Sequence, residues 1–167
     1  MNKKILKILV PALIVVAVIG IYIVKNNNDK EALENNGSDT KTAAFDLEEL
    51  KKEKLPIVLD FTSATCPPCR EMEPTLHKLK EEYKGKVIIK SISVDADIKG
   101  IEDFPVKVTP TLFFFDEKGE PYKPSKNIDI QMIEYSSKTD NKHIYTAREG
   151  LLTEDEFLQI FEDMGIK

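Results

Sequence analysis

The chain of 167 residues has no tryptophan, two histidines and two cysteines. No internal repeat or low-complexity stretch is evident in it. Cys66 and Cys69 stand three positions apart, so they cannot form a disulfide framework, which ties distant segments together. A zinc site needs further ligands, and only His77 and His143 are available. On a helix opened by the cysteines, His77 lies about three turns from Cys66, too far for tetrahedral coordination. Both histidines read as surface or core filler, and no metal or cofactor is expected. Aromatics are few, at 8%, but the 41% apolar content allows one core plus appendages at this length. Net charge is −5 and unevenly placed, because the first 25 residues hold Lys3, Lys4, Lys7 and Lys25 and no acid. The rest is therefore more acidic than the total, which argues against nucleic acid as a partner.

Charge is also missing from Ile8 to Val24, a mostly apolar run behind Lys3, Lys4 and Lys7. As a helix it spans roughly 25 Å, near the lower limit for crossing a bilayer. Lys7 can snorkel, which lets Ile5 and Leu6 extend the run. The basic flank stays inside, so the remainder faces out. A cleaved signal peptide is the competing reading. The run exceeds a typical signal h-region and no A-x-A site follows, which favours an uncleaved anchor over residues 1–25, with 8–24 in the membrane. No cysteine near its end supports lipid modification. Residues 26–44 are polar and Asn-rich, cannot bury a core, and read as a tether with a reach of roughly 25 Å.

The most informative stretch runs from Ile57 to Arg70. Ile57 to Phe61, apolar except for Asp60, predicts a buried strand. A small, polar turn follows, and Cys66-Pro67-Pro68-Cys69 opens a helical pattern. In a first turn this spacing brings the sulfurs within bonding range. The helix N-terminus favours a thiolate on Cys66. Elsewhere, Asp46 to Lys54 predicts a short amphipathic helix. Met72, Leu76 and Leu79 mark the buried face of a long helix ending near Tyr83. Val87 to Val94 predicts a strand, Ile98 to Phe104 a short helix or turn, and Leu112 to Phe115 a strand covered on both faces. Apolar Ile128, Ile130 and Met132 alternate within Asn127 to Tyr135, which predicts one arm of a long antiparallel hairpin. His143 to Ala147 is the returning arm and the last strand of the sheet, with a disordered surface loop as the alternative. Thr153 and Glu156 make a capping box for a closing helix with Phe157, Leu158, Ile160 and Phe161 on its apolar side.

These residues resemble the thioredoxin superfamily. Besides the strand–CxxC–helix, Asp60 lies six before Cys66, where thioredoxins keep a buried acid, and Pro74 eight after it, where their long helix is kinked. Val108-Thr109-Pro110-Thr111 looks like the cis-proline loop, and Gly119-Glu120 like the next hairpin turn. The resemblance covers roughly Phe45 to Gly119 and resumes near Tyr145. It implies an α/β fold with a central mixed sheet flanked by helices, over residues 45–167, here with an inserted β-hairpin (120–146) before the last helix. Three features depart from the pattern. Thr65 stands where a tryptophan usually precedes the motif. The lysine that usually faces the buried acid falls at Ser91, while Lys90, one position away, points to the opposite face. The segment between Gly119 and Gly150 is much longer than in a minimal thioredoxin.

The resemblance implies a thiol–disulfide oxidoreductase. Cys66, nearer the helix end and expected to be the more exposed sulfur, attacks a substrate disulfide, and Cys69 resolves the mixed disulfide. Asp60, its carboxyl pKa raised by burial, relays a proton for Cys69, unless it is only a surface residue of its strand. Pro110 packs against the cysteines, leaving the Thr109 backbone to pair with a substrate peptide. Thr65 and Pro67 flank Cys66 as further substrate contacts. Protein disulfides are the expected substrates, and a membrane thiol-electron transporter is the implied electron source for a domain anchored in the cell membrane outside the cytoplasm. Pro67 and Pro68 have no N–H to offer a thiolate, which favours a reductant over a strong oxidase. A binding module holding a structural disulfide is the alternative from another class.

Overall fold

The computed structural model describes residues 44–167. The expected anchor and all but the last residue of the expected tether lie outside the described residues. Among the described residues, no helix is long and apolar enough to cross a membrane.

Five strands form one mixed sheet: β1 (Ile57–Thr62), β2 (Ile88–Ser93), β3 (Thr111–Phe115), β4 (Ile133–Ser136) and β5 (His143–Glu149). Their spatial order is β2-β1-β3-β5-β4. β1 runs parallel to β2 and antiparallel to β3, and the β3–β5 and β5–β4 pairs are also antiparallel. The helices are α1 (Leu47–Lys51), α2 (Pro67–Glu82) and α3 (Glu154–Asp163). The chain thus has the thioredoxin-like α/β architecture.

Strand alternation explains why the sheet is covered on both faces. Val58 of β1 and Leu112 and Phe114 of β3 point to one side, where they pack with Met72, Leu76 and Leu79 of α2 and Phe157, Ile160 and Phe161 of α3. Ile57, Leu59, Phe61, Phe113 and Phe115 point to the other, against Phe45, Phe104 and, at the margin, Leu47 and Leu50 of α1. Burying one such side chain is worth about 1.5–3 kcal/mol, so β1 and β3 are the most firmly held strands. The redox motif grows from the end of β1 and therefore starts from a rigid platform. Both flanking helices begin as the sequence predicts. Asp46 caps α1 by accepting from the Glu49 N–H at 3.1 Å. Thr153 and Glu156 form the full capping box of α3. Ile98 to Phe104 forms turns rather than a helix.

The segment after Gly119 departs from the expected long hairpin. Pro121 bridges to Phe115, and the Tyr122 N–H donates to the Phe114 carbonyl at 3.0 Å. Residues 127–132 are not a strand; the first arm is only Ile133–Ser136. Ile128, Ile130 and Met132 instead pack onto the core beneath α2 and α3. The reason lies in the preceding turn. The Asp163 carboxylate of α3 takes the Tyr122 hydroxyl and the Ser125 N–H, which ties the chain to the helix layer and away from a ladder. The returning arm β5 is the last strand in chain order, yet it lies inside the sheet, between β3 and β4.

Candidate functional site

β1 delivers the chain to the turn at residues 63–65, and side chains hold this turn. The Asp95 carboxylate accepts from the Ser63 hydroxyl at 3.0 Å and from the Ala64 N–H at 2.7 Å. Arg70, one turn into α2, donates to the Ala64 carbonyl at 3.1 Å. Cys66 is the N-cap of α2, with extended backbone and Pro67 and Pro68 in the first two helical positions. Its Sγ accepts from the Cys69 N–H at 3.2 Å. The prolines leave that N–H as the first donor after Cys66. The sulfurs form a disulfide with Cα atoms 5.3 Å apart.

As whole residues the two cysteines are about equally buried. Cys66 is 7% exposed and Cys69 6%. Priority for Cys66 therefore rests on its place at the helix end, not on accessibility. Thr65 and Pro67, on either side of it, are exposed.

The second element is the loop entering β3. The Thr109–Pro110 peptide is cis. Phe61 at the end of β1 pairs with Thr111 at the start of β3, and Thr111 pairs with Glu149 at the end of β5. The register thus sets the cysteine turn, Pro110 and Gly150 at one end of the sheet. The Pro110 carbonyl accepts from the Gly150 N–H at 2.8 Å, and the Thr111 hydroxyl donates to the Val108 carbonyl at 2.7 Å. Among the described residues, nothing takes the Thr109 backbone N–H or carbonyl. Val108 is half exposed.

The third element is Asp60, 3% exposed. Removal from water pushes its carboxyl up to about 6; the Ser91 side chain and the Lys80 charge oppose the rise, and Glu73 adds to it. Among the described residues, its buried Oδ1 finds no hydrogen-bond partner. Lys90 does turn to the other face, with Nζ 5.9 Å from the centre of the Phe45 ring. Ser91 lies opposite Asp60 in the β1–β2 register, and Lys80 donates to its hydroxyl at 3.2 Å.

Sequence reasoning missed Lys80, Asp95 and Arg70. A signal for Lys80 existed: it stands eleven positions after Cys69, three helical turns on and therefore on the same stripe of α2. Asp95 sits in a turn 31 positions from the backbone it holds, and nothing local announces that. His143 and His77 stay apart. His143 Nε2 lies 2.8 Å from the Thr146 hydroxyl and 2.9 Å from the Tyr145 carbonyl, while His77 is exposed on α2. No group of His, Cys, Asp or Glu among the described residues is arranged to hold a metal ion.

A family model described as thioredoxin matches residues 36–134. A thioredoxin of Alicyclobacillus acidocaldarius subsp. acidocaldarius is 31% identical over 85 residues, covering 47% of this chain and 80% of that protein. The chloroplastic thioredoxin-like protein CITRX of Arabidopsis thaliana is 33% identical over 97 residues, 56% of this chain and 53% of that protein. The match thus spans about half the length of this relative. Among solved structures, chloroplastic thioredoxin z aligns at 16% identity with a TM-score of 0.49, over 78% of this chain and 100% of that one.

Proposed function

The chain belongs to the thioredoxin family, and on that premise we propose that it reduces disulfides of protein substrates while tethered to a membrane, with its redox domain outside the cytoplasm. The observation that carries the chemistry is the Cys66–Cys69 pair at the N-terminus of α2, with the Cys69 N–H directed at the Cys66 sulfur. That donor and the helix dipole favour negative charge on Cys66.

In the reduced state the Cys66 thiolate attacks one sulfur of a substrate disulfide and expels the other as a thiolate. Cys69 then gives up its proton and attacks the Cys66 sulfur. The mixed disulfide breaks, the second substrate thiolate leaves, and the pair ends as a disulfide. Two electrons have passed to the substrate. Asp60, with a carboxyl near 6, is mostly ionised at neutral pH and suited to accept the Cys69 proton, directly or through one water. Pro110 stands at the same end of the sheet as the pair, which supports its role as a wall of the site. The unpaired Thr109 backbone supports strand-like docking of a substrate peptide across Thr65 and Pro67.

Direction follows from the missing donors. Pro67 and Pro68 offer the thiolate no N–H, so it is less stabilised than where a donor stands there, and the couple is less oxidising. The deciding measurement is the potential of the couple, set by equilibration with a thiol buffer and compared with Pro68→His. The variant regains an N–H and adds a group that can carry positive charge. It should be more oxidising, at ~30 mV per ~1.4 kcal/mol of thiolate stabilisation. A potential that is unchanged or more reducing would remove the argument for a reductant. A chain with no turnover on any disulfide would instead be a binding module with a structural bond.

The tether rests on sequence. Residues 8–24 carry no charge and follow Lys3, Lys4 and Lys7, which places the basic end inside. A domain outside the cytoplasm needs electrons carried across, so a membrane thiol-electron transporter is its natural partner. The chain should remain with membranes through a high-salt wash, its N-terminus intact. A shortened soluble form would show cleavage instead.

A further inference from the structure

Asp60 is buried, yet it is one strand from the rim of the sheet. β2 is the outermost strand on that side, and the residue it sets opposite Asp60 is Ser91, which is exposed. Lys80, partly buried near the end of α2, crosses to the Ser91 hydroxyl at 3.2 Å. Among the described residues, the Asp60 Oδ1 has no partner of its own. A buried acid with a free oxygen, a hydroxyl opposite it and an ammonium on that hydroxyl make a short polar passage from the interior to water. The passage opens at the seam between β2 and α2.

We propose that Ser91 and Lys80 form the exit through which Asp60 returns its proton to solvent, with Lys80 supplying from the helix the cation that the facing strand lacks. The proposal rests on the redox reading above. When Cys69 attacks the mixed disulfide, its S–H proton passes to the Asp60 carboxylate. The sulfur forms the bond to Cys66, and the bonding pair of the old disulfide departs with the substrate thiolate. Asp60 is then a neutral acid and must lose that proton to water before the next cycle. Ser91 can accept it and donate onward. The Lys80 charge favours the carboxylate and so drives the release. Lys80 is a positioning residue, since it touches neither sulfur.

The charged and titratable groups facing Asp60 are few. From α2 they are Glu73 and Lys80, seven positions apart on one stripe of the helix. From β2 there is none, because Lys90 lies over the Phe45 ring. β3 sets Leu112 opposite Asp60. Beyond Leu112, in the same row, Arg148 of β5 donates to the Glu149 carbonyl and leaves its Nε unpaired. Glu73 and Lys80 therefore bias the acid in opposite directions.

The test is the titration of Asp60 in the oxidised full-length chain, followed by carbon NMR of labelled aspartate carboxyls, with Asp60→Asn identifying the signal. Lys80→Met and Ser91→Ala should raise the midpoint, and Glu73→Gln should lower it. At a fixed pH near the midpoint, Lys80→Met should reduce the ratio of carboxylate to acid by roughly two- to fivefold, the effect of one charge across a half-wet seam. Lys80→Arg should restore it. The acid limb of the pH profile for mixed-disulfide resolution should move in parallel. An unchanged midpoint in Lys80→Met, or no recovery in Lys80→Arg, would overturn the exit in an otherwise active chain. A midpoint that moves as expected in a chain that reduces no disulfide would overturn the redox reading and leave the coupling standing.

Discussion

The motif end of the molecule and the segment after Gly119 each place an aspartate against the helix layer, and they treat it in opposite ways. At the motif end, Asp60 keeps one oxygen unpaired among the described residues, and burial holds its carboxyl near 6. At the other, burial would also raise Asp163, but the bonds from Ser125 and Tyr122 outweigh it and hold that carboxyl below its ordinary value. Tyr122 is raised in turn, first by burial and then by the bond to Asp163. A satisfied carboxylate, such as that of partly buried Asp163, fastens two parts of the chain together. An unsatisfied one costs stability and is available for proton transfer.

The sharpest way to separate the two regions is to remove the sulfurs. Cys66→Ser should lower disulfide reduction roughly a thousandfold or more, the scale of losing a nucleophile. Cys69→Ser should accumulate mixed disulfides through Cys66 that Cys66→Ser does not form. Equal trapping by both variants would reverse the assignment of nucleophile. Next comes the core contact made by the inserted segment. Ile130→Ala should cost about 2–4 kcal/mol in denaturant unfolding, because it empties a buried site beneath α2 and α3, yet leave turnover of a small disulfide unchanged. Lost turnover in the folded variant would mean that the insertion helps build the redox site.

The two aspartates should also give stability profiles of opposite slope. The Asp60 carboxyl ionises near 3.8 when unfolded and near 6 when folded. Between those values the unfolded chain has released the proton that the folded chain keeps. Stability therefore falls as pH rises through that window, by about 2–3 kcal/mol, and Asp60→Asn should flatten the fall. Asp163 is held low, so its contribution is present above its unfolded value and lost as pH falls through the folded one. Asp163→Asn should weaken the fold at pH 7 and matter little in strong acid. Unfolding curves for both variants at pH 4 and pH 7.5 check the signs. The smallest effect expected is that of Tyr122→Phe, about 1.5 kcal/mol for a partly exposed hydrogen bond to a carboxylate, with no change in reduction rate.

Legibility in the sequence divides along the same line. In β1 and at the helix starts, structure follows from neighbours in the chain, although the turn between them is held by distant Asp95. Ile57 to Phe61 alternate between two covered faces, the prolines sit where a helix tolerates them, and Thr153 finds Glu156 three residues on. The insertion depends on contacts that no local pattern carries. Ile128, Ile130 and Met132 alternate as a strand would, but the alternation does not say what the backbone pairs with. Asp163, 41 residues from Tyr122, decides that. Lys80 was hidden for a related reason. The resemblance points to the strand beside Asp60 for the facing cation, whereas α2 supplies Lys80.

The placement of β4 also bears on how copies of this chain meet. An open strand at the rim of a sheet can template pairing with a second molecule. Without β4 the exposed rim would be β5, with seven residues of free ladder. β4 presents four, with the charge of Glu134 among them and a register shift between Tyr135 and Ser136 that interrupts a straight match. At the opposite rim, β2 carries Lys90 and Ser91 at its exposed centre. One rim is short and interrupted and the other is polar at its centre, so crowded copies find little on which to grow an intermolecular sheet.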